Sequence, residues 1–411
     1  MKVASSGALI ALALLSAALL LGTRNQAASL APNKISGSSF VVSSGADAGP
    51  GTLRDAILAA DRLSESAHIL IEAKHIVIES ALPALINAHG IVIEAAAGAG
   101  VIDAAHMAKG PAVQVNSPAS VIRGISILNA RDLAMLDNAP GLEISGVSIT
   151  ASKTGLALAA SAKGGNIRTS VFERNETGIS ADGSVRDIAI VSSIFRANSR
   201  AGFWFVGAGE HDTTPLVRII DGVFEKNACG VVLANRPTLV QKSRFLANQQ
   251  SGVLILGGTA QVEDSEFRNS GGTAISVTSG QHVALLHNTL IDNPVTAIMV
   301  HDSQVSIERN TLTGNGSGIV AILSQESYSA VIKDNIITKS TGDAITIIGG
   351  SPTVQHNQLT ENHSAGLRVL DLVYAKGGVK ATPHLDANVL KGNGVDMPPT
   401  GVYKSAAPPA S

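Results

Sequence analysis

The sequence is short of four things, and each shortage excludes a class of protein. It has one cysteine, Cys229, so no disulfide can form within the chain. Aromatic residues make up only 3%, too few for a globule packed around large rings. An interior of Ile, Val, Leu and Ala suits flat, stacked strands better. No basic block offers a footprint for phosphates, which argues against a general nucleic-acid binder. The one long apolar run, Ala8 to Gly22, spans fifteen residues, short of the ~20 that a membrane helix needs.

That run follows the basic Lys2 and precedes the small residues Ala27 and Ala28, the order of a secretory signal peptide over residues 1–28. No cysteine lies near the cleavage region, which argues against a lipoprotein. Export to the periplasm or beyond is the expectation. Removing Lys2 and Arg24 leaves 28 basic and 32 acidic residues, a net charge of about -4. Cys229 sits inside Asn227-Ala228-Cys229-Gly230-Val231 and reads as a small buried thiol.

What the chain has in abundance is repetition. Phe172, Phe195, Phe224, Phe245, Phe267, Leu290, Leu312, Ile337, Leu359 and Leu390 follow one another at spacings of 23, 29, 21, 22, 23, 22, 25, 22 and 31. Ile127 and Ile149 extend the series upstream. Three residues after each anchor comes Asn or Ser, from Asn175, Asn198 and Asn227 to Asn393. Two residues before it runs a second small polar column, from Ser170 to Asn388. In a parallel coil each strand stacks on the next about 4.8 Å away, so like residues form ladders. Asparagine at a bend can bond both the turn and the Asn of the next coil. A Gly then opens the following strand, as in Gly178-Ile179, Gly202-Phe203 and Gly252-Val253.

The period breaks the hexapeptide rule of left-handed helices, and the Leu frame of leucine-rich repeats is missing. The expected fold is all-β: a single-stranded right-handed parallel β-helix, a solenoid of ~22-residue coils, over residues 29–396. A capping helix over about 52–63 closes its first coil, with Thr52 as N-cap, Asp55 three residues on, and Leu53, Ile57, Ala60 and Leu63 at helical spacing. Residues 397–411 read as a flexible tail.

The segment Gly49-Pro50-Gly51-Thr52-Leu53-Arg54-Asp55-Ala56-Ile57 resembles the entry of exported pectate-lyase-like β-helix proteins. The Asn/Gly coil grammar is similar to their carbohydrate-binding and sugar-hydrolase repeats. The resemblance spans roughly residues 38 to 395. It implies the fold and a range of activities: lyases, hydrolases, polysaccharide epimerases, adhesins and non-enzymatic maturation factors. The Trp-Ile-Asp-His and Arg-x-Pro-x-x-Arg stretches of pectate lyases are absent, as are the paired aspartates and Gly-His-Gly of polygalacturonases. Of the Asp-Pro-His-Asp motif of mannuronan epimerases, only the echo Val300-His301-Asp302-Ser303 is present.

The insertions point to a site. The three long spacings come from extra residues at Gly207 to Pro215, Ser324 to Ser329 and Asp371 to Pro383, all after the same strand and so at one corner. The leading expectation is lyase or C5-epimerase action on a uronic-acid-containing exopolysaccharide. Both reactions remove the proton beside a carboxylate and need a base, an acid and a cation. His301, Asp302 and Tyr328 are the catalytic candidates. Trp204, His211, Asp212, Arg236, Glu326, Asp371, Tyr374 and Lys376 are the substrate-binding ones. A hydrolase would instead pair Asp302 with Glu326. The competing class is a non-catalytic scaffold, adhesin or periplasmic binding factor.

No metal site is expected: His282 and His363 have no ligand spacing, and no calcium motif occurs. The outward column Asp221, Lys242, Asp264, His287, Arg309, Asp334 and His356 reads as a solvated face. Strand alternation also turns Trp204, Val206, Leu254, Leu256, Met299, Val320, Ile322, Ile348 and Leu370 outward. Such an apolar stripe should be covered by the corner loops, or by another chain resting on Leu254, Leu256, Val320, Ile322 and Ile348.

Overall fold

The computed structural model describes residues 38–207, 216–374 and 377–405; the expected signal peptide lies outside them. Three long sheets of 15, 14 and 14 strands run through the described residues, parallel throughout except for the strand Gly378–Val379 in the third. The first runs from Ser38–Val42 to His384–Asp386, and the second from His75–Val77 to Val389–Lys391. The third runs from Pro111–Val115 to Leu367–Val373. A regular coil visits them in turn, as Val217–Ile220, Val223–Glu225 and Cys229–Ala234 do. The chain is a parallel β-helix, as the repeat predicts.

The anchors stack in register: Phe172 on Phe195, then Phe224, Phe245 and Phe267, then Leu290. Their rings lie 4.5 to 5.2 Å apart and nearly parallel. Opposite them the glycines form their own column. A Cβ on Gly178, Gly202, Gly230 or Gly252 would lie 2.5 to 2.8 Å from a carbonyl oxygen of the next coil and 2.6 to 3.0 Å from a ring carbon. Glycine is required here by close approach. Where the anchors become Leu, Ala274 and Ala297 occupy the same register positions, fully buried.

Both polar columns are hydrogen-bonded ladders. Asn198 Nδ2 donates to Asn227 Oδ1 at 2.8 Å, and Asn227 donates to Asn248 at 3.1 Å. The same Asn227 amide reaches the Phe195 carbonyl one coil back. In the other column Asn288, Asn310, Asn335, Asn357 and Asn388 link continuously. Buried amides paired this way satisfy turn groups that would otherwise be stranded. Ser270 and Ser340 interrupt the first ladder: each is buried and its hydroxyl has no partner. The outward charged column has a backbone cause, since Asp221, Lys242, Asp264, His287, Arg309, Asp334 and His356 all have φ between 49° and 57°. Each is the left-handed residue of the turn between the first and second sheets.

Helix α1, Leu53–Ala60, caps the start; Thr52 accepts the Asp55 N–H, and Leu53, Ala56, Ile57 and Ala60 are buried. It is shorter than the expected 52–63, because Asp61 takes the C-cap position and accepts the N–H groups of Ile86 and Asn87. The expected tail differs more: Gly401–Lys404 forms a strand paired in parallel with Leu370–Val373. It extends the third sheet by one strand.

The stripe faces outward as alternation requires. Its C-terminal end is covered, with Ile348 only 4% exposed. There the chain after Leu367–Val373 doubles back, pairing Leu372 with Val379 and bridging Gly350 to Ala381. Further back Val206 and Leu256 are 38% and 40% exposed.

Candidate functional site

The third sheet's outer face carries two adjacent rows. One runs Trp204, Val232, Leu254, Ser276, Met299 and Val320; the other runs Val206, Ala234, Leu256, Thr278, His301 and Ile322. His301 ends the strand Thr296–His301 and is exposed. Asp302 follows it in a left-handed conformation, φ 47°. That turn brings Asp302 Oδ2 to 3.5 Å from His301 Nδ1.

Asp302 is held from the next coil. The Ser324 N–H donates to Oδ1 and the Ser324 hydroxyl to Oδ2, both at 2.7 Å. The Tyr374 hydroxyl meets the same serine. Burial pushes the Tyr374 phenol above its usual range; the Ser324 bond opposes this and the Asp302 charge adds to it. Tyr374 is therefore a phenol that keeps its proton. Asp371, on the strand before it, accepts the Ala381 N–H at 2.9 Å and braces the returning loop. Two of the three insertions, those that begin at Ser324 and Asp371, thus meet at Asp302 through Ser324 and Tyr374.

Several expected residues have other roles. Tyr328 is half-buried and packs against the hydrophobic core, so its ring is committed inward and not to His301. Arg236 is 5% exposed. Its guanidinium lies against Gly183 and Gly207, where any side chain would collide with it, so it is a strut between coils and not a surface cation. Glu326 is exposed on the loop. Trp204 lies on the sheet with the Arg200 guanidinium 3.8 Å above its ring centroid. His211, Asp212 and Lys376 lie outside the described residues. Ser324 was missed, although it begins one of the insertions that mark the corner.

Away from this corner, Asp137 and Asp343 are shifted far from the ordinary carboxylate range. Asp137, inward-facing and buried, is pushed up to about 7 by desolvation, with one Ala139 N–H opposing. Burial also raises Asp343, but bonds from Arg368, Ser364, Ala365 and Thr346 outweigh it and hold it at about 2. Arg368 grips Asp343 through Nε at 2.5 Å and Nη2 at 3.0 Å, a structural fork. An open groove of about 640 Å³ lined by Lys339, Glu361, His363 and Asn393 lies on the opposite turn.

The comparisons with known proteins agree with this architecture. A family model described as right handed beta helix region matches residues 221–373. Another, described as periplasmic copper-binding protein (NosD), matches residues 90–270. No curated protein sequence matches the chain. The chain is a right-handed parallel β-helix protein. Among solved structures it is similar to the catalytic unit of a GH87 α-1,3-glucanase from Streptomyces thermodiastaticus, at 15% identity and TM-score 0.58. That likeness covers 85% of this chain and 68% of the other. It is similar also to the A-module of mannuronan C-5 epimerase AlgE6 from Azotobacter vinelandii, at 16% identity and TM-score 0.56, covering 90% and 100%. The periplasmic alginate epimerase AlgG follows at 12% and 0.53, covering 86% and 85%.

Proposed function

We propose that this is an exported polysaccharide-acting protein whose reactive site is the corner formed by His301, Asp302, Ser324 and Tyr374. The observation that carries the reading is an exposed imidazole backed by a carboxylate that is itself clamped from the neighbouring coil. Structural neighbours described as a glucanase and two epimerases support action on polysaccharide. The word periplasmic in the descriptions of one matching family and one neighbour supports export.

The finer proposal is C5 chemistry on a uronic-acid polymer. His301 takes the C5 proton, and Asp302 stabilises the resulting imidazolium while Ser324 fixes its orientation. Tyr374, protonated near neutral pH, is the proton donor. Giving its proton to the departing C4 oxygen completes elimination; giving it to the opposite face of C5 completes epimerisation. Lys380, beside the Ala381 N–H that Asp371 holds, is the cation this loop carries toward a sugar carboxylate. The copper named in one family description has no part in this proposal. Among the described residues no group of three His, Cys, Asp or Glu could hold a metal. In the matched segment the described imidazole, His106, and the buried thiol, Cys229, lie on different parts of the stack.

The protein incubated with several uronic-acid polymers should yield either ultraviolet-absorbing unsaturated ends or deuterium uptake at C5. His301→Gln and Tyr374→Phe should each lower that signal about 100-fold or more. Glycan binding with neither signal would make the protein a non-catalytic binder and end the catalytic reading.

A further inference from the structure

The third sheet's outer face holds a second polar feature that the corner chemistry does not use. Arg200 is exposed at the start of the strand Ala201–Val206, and its guanidinium lies 3.8 Å over the centroid of Trp204. Trp204 is fixed beneath it, packed against the buried cluster of Ala201, Cys229 and Val232, as Leu254 is. Among the described residues no carboxylate lies within ion-pair distance of Arg200, whereas Arg196 in the same coil is neutralised by Glu225 at 3.0 Å. Stacking on a ring leaves a guanidinium's in-plane N–H groups free, and it costs the side chain its rotational freedom before any ligand arrives. Arg200 is therefore a pre-positioned, uncompensated planar cation on an apolar shelf.

We infer that Arg200 and Trp204 form a carboxylate-binding subsite for an anionic glycan strand lying along the solenoid axis. The inference rests on the proposed action at His301. Four strand steps separate Ala201–Val206 from Thr296–His301, through Cys229–Ala234, Ser251–Gly258 and Ile275–Gly280. At about 4.8 Å per step the subsite lies ~19 Å from the imidazole on the same face. A pyranose unit is comparable in length to one coil's rise, so a single extended strand can touch both places. The rows between them present Leu254, Leu256, Ser276, Thr278 and Met299, which carry no charge to repel a polyanion. The fork of N–H groups matches a uronate carboxylate, and the ring edge and shelf match a sugar's apolar face.

The test is calorimetric binding of oligogalacturonates and oligomannuronates, from dimer to octamer, with carboxyl-reduced octamers as neutral controls. Wild type should prefer octamers to dimers and lose that preference with the neutral controls. Arg200→Ala should weaken octamer binding about 10-fold, leave dimer binding unchanged and flatten the dependence on salt. Arg200→Lys should recover little of it, because an ammonium neither stacks flat nor offers a fork. If wild type binds octamers and Arg200→Ala binds them equally well, the subsite is wrong while the corner reading stands. If wild type binds no oligouronate at all, both fall.

Discussion

Two successive stretches of the β-helix solve one packing problem differently. From Phe172 to Phe267 the inner corner is a column of stacked rings, and each ring is accommodated by a glycine such as Gly230 or Gly252. From Leu290 onward the anchors are aliphatic; Ala274 and Ala297 stand at the glycine positions, and glycine returns at Gly318, where a Cβ would lie 2.7 Å from Ile337. From Phe172 to Leu312, large with small and medium with medium fill the same width. Across that change of anchor the coil width is matched by paired choices on two strands.

Breaking the comparison begins with the rings. Phe245→Ala should cost toward the upper end of about 3–5 kcal/mol in denaturation, and Leu312→Ala nearer the lower end of about 2–5. Equal losses would show that the ring column adds nothing beyond its volume. The early and late coils also differ in their carboxylates. Asp137, near the start, has its folded-state value raised to about 7, so the native state holds a proton that the unfolded chain has released. Stability is then greatest below the ordinary carboxylate range and falls as pH rises toward 7, by on the order of 4 kcal/mol. Asp343, in the later half, is held at about 2, and its contribution runs the other way: present above the ordinary range and lost as pH falls through about 2. Asp137→Asn should abolish the first trend and leave the second; hydrogen exchange in each half against pH reads both.

A smaller effect sharpens the pairing itself. Gly230→Ala forces a methyl against Phe245 and the Gly252 carbonyl, and should cost about 1–3 kcal/mol. Together with Phe245→Leu the loss should fall short of the sum, because the smaller anchor makes room. Strict additivity would sever the link between the two columns. Smallest is a gain: Ser340→Asn closes a gap between Asn315 and Asn362, and should add about 1 kcal/mol to stability. No gain in thermal midpoint would mean the gap is already relaxed.

These contrasts follow from how differently the sequence speaks in its parts. The stacked anchors and the Asn columns were legible because each coil constrains the next, so a period repeats the same information many times. Helix α1 was legible from Thr52 and the Leu53, Ile57, Ala60 spacing, though Asp61 ends it early. The corner was only half legible. Its loops could be located as insertions and His301–Asp302 identified at the same corner of an intervening coil, but no repeat governs which way a loop folds. Tyr328 turned inward, while the antiparallel pairing of Leu372 with Val379 carried Tyr374 back toward Ser324. The strand Gly401–Lys404 escaped for the same reason: its partner is a single edge, not a ladder.

The left-handed residues of the first turn have a bearing on how such a molecule changes over time. Asp221, Lys242, Asp264, His287 and Arg309 share one backbone shape while differing in sign and size. Their side chains leave the coil at a point where the neighbouring Ser or Asn already meets the turn's bonding needs. The rim can therefore be recoloured from acidic to basic without disturbing the interior, which leaves a strip of surface whose electrostatic character is free to drift while the scaffold under it stays fixed.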